Sequence, residues 1–253
     1  MSSFWQTAIS QVKTNEILVR GYPIEQLVRR SSFGQIVYLL LKGELPAGAE
    51  GKLVEAMVVA CCEHSLLSPS ADAVRFVASC GVPLQTAVGA GVLAIGDVHG
   101  GAIEPFAHIL HDALEAGKSA EQVVTELRGA GKRVPGMGHP IHKPDPRRTL
   151  LFDLAKELNL FGPHSQLALE FEAATETVIG RRIDLNVDGA IAALMCDMEI
   201  DPALGKSFFI LGRTAGFVAH AHEQMTQERP FKAPPADQIV YTGPPRRDVP
   251  PGD

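Results

Sequence analysis

Residues 133–152 read RVPGMGHPIHKPDPRRTLLF, and the way this stretch folds governs how the rest of the chain is read. Pro135, Gly136, Gly138 and Pro140 interrupt any helix or strand, so the spacing predicts a loop that carries His139. Eight residues on, Arg147 opens a helical run in which Leu150, Leu151, Leu154 and Leu158 recur at three- and four-residue spacing. The stretch thus sets an imidazole on an irregular loop with a fixed cation just downstream.

Outward from it the same periodicity dominates. Segments 31–46, 49–64, 70–81, 83–96, 104–117, 119–131, 164–180, 188–201 and 204–225 all read as helices bounded by Gly, Pro or Ser. In the first of them the serines suit an N-cap, and Gly43 and Pro46 supply the stop. Only EILVRGYPI, residues 16–24, reads as an extended piece ending at a turn. No strand–helix–strand alternation occurs, which predicts an all-α architecture. The Pro-rich end of the chain, from residue 230, predicts an extended surface arm.

With 253 residues, 45% of them hydrophobic, the chain can bury a full core. It has no apolar run near the ~20 residues a membrane span needs. Its N-terminal stretch lacks signal- or transit-peptide order, so no membrane association and a cytoplasmic location are expected. A net charge of −6 argues against a nucleic-acid partner. Cys61, Cys62, Cys80 and Cys196 show no metal-type spacing and are expected to be buried, reduced thiols. GAGVLA at 89–94 fits a loose dinucleotide pattern but follows no strand, so close helix packing explains it better. His108 and His111 stand three apart on a helix without supporting ligand spacing, so no metal is expected there.

Three other sites share the character of the opening loop. His99 sits beside a Gly pair in GDVHGGAIEP, where a ligand can approach the backbone. Asp188 precedes Gly189 at the mouth of a small-residue helix, and His64 ends a helix before a Ser/Pro stretch. Taken singly, Asp188 could be an N-cap, and either histidine a partner of a helix dipole.

Taken together they resemble one family. HGG at His99, PGMGH at His139, DPR at Arg147, NVD at Asp188, GRTAGFVAH at Arg213 and RP…YTG from Arg229 fall in the order found in citrate synthases and in the citryl-CoA lyases that share their fold. ILVRGYPIEQL and LLLKGELP near the N-terminus match as well. The resemblance implies a citrate-synthase-like fold: a large helical domain (1–100 with 195–228), a smaller CoA-binding lid domain (101–194), an arm (229–253) and an active site in the cleft. It implies His99, His139 and Asp188 as catalytic residues, with His64, Arg147, Arg213 and Arg229 holding substrate carboxylates. Val134, Pro135, Gly136, Met137, Gly138 and Lys143 are implied as CoA contacts. Arg229 is implied to cross a dimer interface, hence a homodimer. No permanent cofactor or metal is implied; a CoA thioester comes and goes as substrate or product.

The chemistry explains the residue types. Making or breaking the bond between an acetyl thioester's methyl carbon and a keto acid's carbonyl carbon passes through an enol. That needs a donor at the thioester oxygen, a carboxyl at the carbon, and a third group at the other oxygen. The sequence departs from synthases after Asp188, where GAIAALM replaces an aromatic pair, and in lacking a helical stretch before His64. Both this and AIGD before His99 are closer to the lyase module of ATP-citrate lyases. Cleavage of citryl-CoA is therefore the expected activity, ahead of condensation by a compact citrate or 2-methylcitrate synthase and ahead of a non-catalytic thioester or dicarboxylate sensor. The loss of the aromatic pair also predicts a roomier pocket beside Asp188.

Overall fold

A computed structural model describes residues 4–249; the first three residues of the expected large domain and residues 250–253 of the expected arm lie outside the described part. The chain opens with three short antiparallel strands, β1 (Ser10–Lys13), β2 (Glu16–Val19) and β3 (Tyr22–Pro23), in that spatial order. β1 was not legible in the sequence: it reads SQVK and is exposed along its whole length, so it carries no alternating pattern.

Eleven α-helices follow among the described residues: α1 (Ile24–Arg30), α2 (Phe33–Lys42), α3 (Glu50–Ala60), α4 (Pro69–Ala78), α5 (Leu84–Leu93), α6 (Ile103–Glu115), α7 (Ala120–Gly129), α8 (Pro146–Glu157), α9 (Pro163–Ile179), α10 (Val187–Asp197) and α11 (Gly205–Gln227). Their ends follow from local chemistry. Ser32 and Gln35 form a reciprocal capping box on α2, as do Ser119 and Gln122 on α7. Gly43 ends α2 in the left-handed region, where only glycine sits without strain. GAGVLA lies inside α5 and its C-cap, so the dinucleotide pattern is ordinary helix.

α10 is the hub. Val187 and every residue from Gly189 to Cys196 are buried, because α6, α8 and α9 pack around it. The main core gathers its side chains with those of α3, α6 to α9 and the first turns of α11. A smaller cluster of Val74, Ala78, Ala87, Phe217 and Ala221 joins α4 and α5 to the middle of α11. α11 approaches α3 through glycine: a Cβ on Gly212 would fall 2.3 Å from the Val58 carbonyl oxygen, and one on Gly216 2.4 Å from that of Cys62. This contact sets Arg213 against the segment that leads to His64.

Beyond α11 the described residues, 228–249, are exposed and irregular apart from a short turn of 3-10 helix at Ala236–Gln238. Backbone N–H groups of Phe231 and Lys232 tie its start to Ser79. All four cysteines are free, but Cys80 is exposed rather than buried, since it lies on the outer face just past α4.

Candidate active site

The loop carrying His139 is stitched to the start of α10. Gly138 N–H donates to the Asp184 carbonyl at 2.7 Å, Asn186 N–H to the Gly136 carbonyl at 3.0 Å, and Asn186 Nδ2 to the Gly138 carbonyl at 2.7 Å. Gly136 has φ +72°, and a Cβ there would lie 2.8 Å from Gly189 Cα. A Cβ on Gly189 would in turn lie 2.5 Å from the Gly136 carbonyl oxygen. Two glycines, distant in sequence, therefore let the loop seat on the turn that begins with Asp188. The space expected to open after Asp188 is filled at Gly189 by loop backbone. The N-cap of α10 is Asn186, which accepts from Gly189 N–H, so Asp188 is not needed as a cap.

Six of the residues singled out in the sequence meet in one cavity of about 300 Å³: His64, His99, His139, Arg147, Asp188 and Arg213. Arg213 is buried on α11; its Nε donates to the Cys61 carbonyl at 2.9 Å, its Nη1 to Ser68 Oγ at 3.1 Å, and its guanidinium lies over the Phe209 ring. Arg147, in the first turn of α8, forms a two-pronged pair with Asp145 at 3.0 and 2.8 Å. Asp145 also accepts from the Arg147 and Val187 backbone N–H groups, so one buried carboxylate clamps the starts of α8 and α10 together. Burial pushes against its charge, but these donors prevail and hold its carboxyl below the usual range.

The electrostatics differ from residue to residue. Asp188 borders the cavity yet is packed in protein atoms, and burial pushes its carboxyl up to about 6 against the pull of Arg147 and Arg213. His99, His139 and His64 are all shifted below the ordinary imidazole value, first by burial and further by nearby cationic groups, with Asp145 opposing the shift at His139 and His64, so the neutral rings are favoured. His99 Nε2 lies 2.7 Å from the hydroxyl of buried Ser70. When that hydroxyl donates, the ring proton sits on Nδ1, free for a ligand. His139 Nδ1 accepts from the N–H groups of Ile141 and His142, at 3.1 and 3.0 Å. Backbone N–H can only donate, so the His139 proton is on Nε2.

The implied CoA contacts divide between cavities. Val134, Pro135, Gly136 and Met137 line a larger one, about 1080 Å³, which also reaches Asp188 and so meets the reacting cavity there. Gly138 and Lys143 line a different hollow on the other face of the loop, about 290 Å³, with Arg181 and Arg182. The cations of the larger cavity are instead Lys132, Arg133 and Lys206, and His108 lines it as well. Arg229 does not reach the reacting cavity of its own chain; it follows α11 and is exposed, its carbonyl accepting from Gln224 Nε2. Sequence reading missed Asp145, Ser68, Ser70 and the three basic residues. The Asp-Pro pair was visible as a helix start, but serines and lysines carry no local mark of what they face.

These elements define a citrate-synthase-type fold and cleft, and comparison with known proteins agrees. The family described as "Citrate synthase, C-terminal domain" matches residues 3–54 and 48–234, and the chain belongs to it. A solved citryl-CoA lyase from Hydrogenobacter thermophilus is 41% identical with a TM-score of 0.93, covering 98% of both chains. A Methanosaeta concilii ATP citrate lyase (D541A mutant) in complex with (3S)-citryl-CoA is 25% identical with a TM-score of 0.85; the match covers 96% of this chain and 42% of that one. A probable ATP-citrate synthase of Caenorhabditis elegans is 30% identical over 95% of this chain. The chain spans between 23% and 42% of the length of such curated relatives.

Proposed function

We propose that the protein is a citryl-CoA lyase, cleaving citryl-CoA to acetyl-CoA and oxaloacetate. The observation that carries this reading is the convergence of His99, His139, Asp188, Arg147 and Arg213 on one cavity. It occurs in a chain that matches a solved citryl-CoA lyase along 98% of its length. Arg213, Arg147 and His64 bind the carboxylates of the four-carbon portion; planar guanidiniums suit that task. His99 donates from Nδ1 to the thioester oxygen, where charge grows as the carbon–carbon bond breaks. For cleavage the His139 ring takes the tautomer with Nε2 bare, its Nδ1 released from the Ile141 and His142 N–H groups. Nε2 then takes the hydroxyl proton, and protonated Asp188 delivers its own proton to the terminal carbon. A carboxyl lifted to about 6 is suited to that delivery near neutral pH. The CoA thioester enters as substrate and leaves as product, its long arm lying in the larger cavity beside Val134 to Met137.

One observation favours a second reading. The resting His139 already has its proton on Nε2, ready to donate to a keto oxygen. That is the starting state for condensation, so a compact citrate or 2-methylcitrate synthase is the alternative. A non-catalytic sensor is weaker, because a sensor has no use for a carboxyl tuned toward proton transfer.

The same proposal includes a homodimer in the cytoplasm, with Arg229 and the arm reaching the partner's cleft; the CoA phosphates meet Lys132, Arg133 and Lys206 of the larger cavity rather than Lys143. Exposed Phe76, Leu84, Leu93 and Val218 on α4, α5 and α11 supply an apolar face for such a dimer. Residues 101–194 act as a lid hinged on the rest. No helix among the described residues is long and apolar enough to cross a membrane. The test is direct: supply citryl-CoA and follow oxaloacetate, then supply acetyl-CoA with oxaloacetate and follow free thiol. Oxaloacetate formation without thiol release supports the lyase, and thiol release supports the synthase. Silence in both, with thioester binding intact, favours the sensor or another acyl substrate.

A further inference from the structure

The stretch GRTAGFVAH enters the site through Arg213, and the proposed chemistry leaves its last residue, His220, without a task. Two turns of α11 separate the two, so they share a face, with Gly216 between them. That face packs on residues 61–68, the irregular segment that joins α3 to α4 and carries His64. No helix or strand fixes the direction in which His64 points.

Glu63 supplies what regular structure does not. Its Oε1 accepts the backbone N–H groups of His64 and Ser65 at 2.9 and 2.5 Å, and lies 3.1 Å from His220 Nε2. An ionised carboxylate only accepts, so the His220 ring donates. Burial pushes this carboxyl up, but His220 and the two N–H groups outweigh it and hold it below the usual range. The turn needs such a hold, because Ser65 has φ +58°, a left-handed conformation that residues other than glycine enter only at a cost. α11 leaves space for the carboxylate: a Cβ on Gly216 would fall 2.4 Å from Glu63 Oε2. From its other side the turn is gripped by Arg213, whose Nη1 donates to Ser68 Oγ, which donates to the Ser65 carbonyl at 3.4 Å. Neither Glu63 nor His220 lines the reacting cavity, so both act through the turn.

We propose that Glu63, backed by His220, is the positioning residue for His64. It fixes the turn that aims this imidazole at a carboxylate of the four-carbon unit, and so sets affinity for that unit rather than the rate of bond cleavage. The proposal rests on the assignment of His64 to the substrate carboxylates.

The test compares four variants of the full-length protein. Glu63→Gln keeps an oxygen for the two N–H groups and Glu63→Leu removes it; His220→Gln can still donate and His220→Leu cannot. In the two leucine variants KM for citryl-CoA should rise about tenfold with kcat changed less than about threefold, and the glutamine variants should stay within about threefold of the parent. Both positions lie outside the two hydrophobic clusters, and His220→Leu carries the same test if Glu63→Leu fails to fold. A second readout needs no substrate. With histidines 15N-labelled, the His64 ring signals, assigned through His64→Gln, should shift in the leucine variants and stay in place in the glutamine variants. Unmoved His64 signals in the leucine variants, a kcat loss as large as the rise in KM, or equal damage by the glutamine variants overturns the proposal. A protein silent on citryl-CoA that shows the ring shifts keeps the positioning of His64 while the lyase reading falls.

Discussion

α10 carries an aspartate near each end, and the protein treats them in opposite ways. Asp188, at the start, borders two cavities without a hydrogen-bond donor among the described residues, and burial lifts its carboxyl to about 6. At the other end, Asp197 is also buried, which alone would raise it. Its three backbone N–H donors and His164 outweigh that cost and hold it below the usual carboxylate range. Residue type and helix are shared; the donors brought by other elements differ. The carboxyl proposed to hand over a proton is kept short of donors, while the one that anchors a helix start is saturated with them.

Asp188→Asn tests the first half and carries the largest expected effect. Cleavage should fall by about a thousandfold while the variant stays folded, read as oxaloacetate release per folded molecule. In the unsubstituted protein the same carboxyl sets a pH limb. Cleavage needs it protonated, so turnover should decline as pH rises through about 6, whereas condensation needs it ionised and should gain over the same range. A raised carboxyl also opposes folding once ionised. Stability from this group is therefore full below the ordinary carboxylate range and lost as pH climbs through about 6, and Asp188→Asn should raise the melting point at pH 8 but not at pH 4.

Gly136→Ala disturbs the floor beside Asp188 without touching a reacting group. A left-handed φ and a Cβ 2.8 Å from Gly189 Cα force the loop off α10, so His139 and Asp188 separate. Turnover should fall on the order of a hundredfold, with KM for citryl-CoA changed less. An activity equal to the parent would show that loop and helix need not touch.

Asp197→Asn breaks the opposite end. Removing the charge that four donors face should cost roughly 2–3 kcal/mol in urea unfolding, with turnover per folded molecule little changed. The pH dependence is the reverse of that for Asp188. A depressed carboxyl stabilises fully above its ordinary range and loses this as pH falls, so the gap between Asp197→Asn and parent should narrow under acid. Ser70→Ala should have the smallest effect. It removes the hydroxyl that lies 2.7 Å from His99 Nε2 and holds the ring, and turnover should drop about tenfold with the fold intact.

Much of the catalytic cavity was legible because glycine and proline mark where a chain must leave regular structure. PGMGH, HGG and NVD each announced a loop or helix mouth, and the structure brings all three to one cavity with His64, Arg147 and Arg213. Less visible was everything that depends on a partner. Asp145 read as part of a helix start, yet its buried pair with Arg147 and its bond to Val187 N–H need α10 beside α8. Lys143 faces a separate hollow because the loop between His139 and Pro146 turns away from the larger cavity.

The sequence by itself determined which segments are helical, where they stop, and which side chains sit on irregular backbone, since periodicity and the φ preferences of glycine and proline act over a few residues. Tertiary structure alone decided the charge and proton position of each group. Which nitrogen of His139 or His164 holds its proton, and whether an aspartate of α10 is raised to about 6 or held below the usual carboxylate range, depends on donors and burial supplied by distant elements.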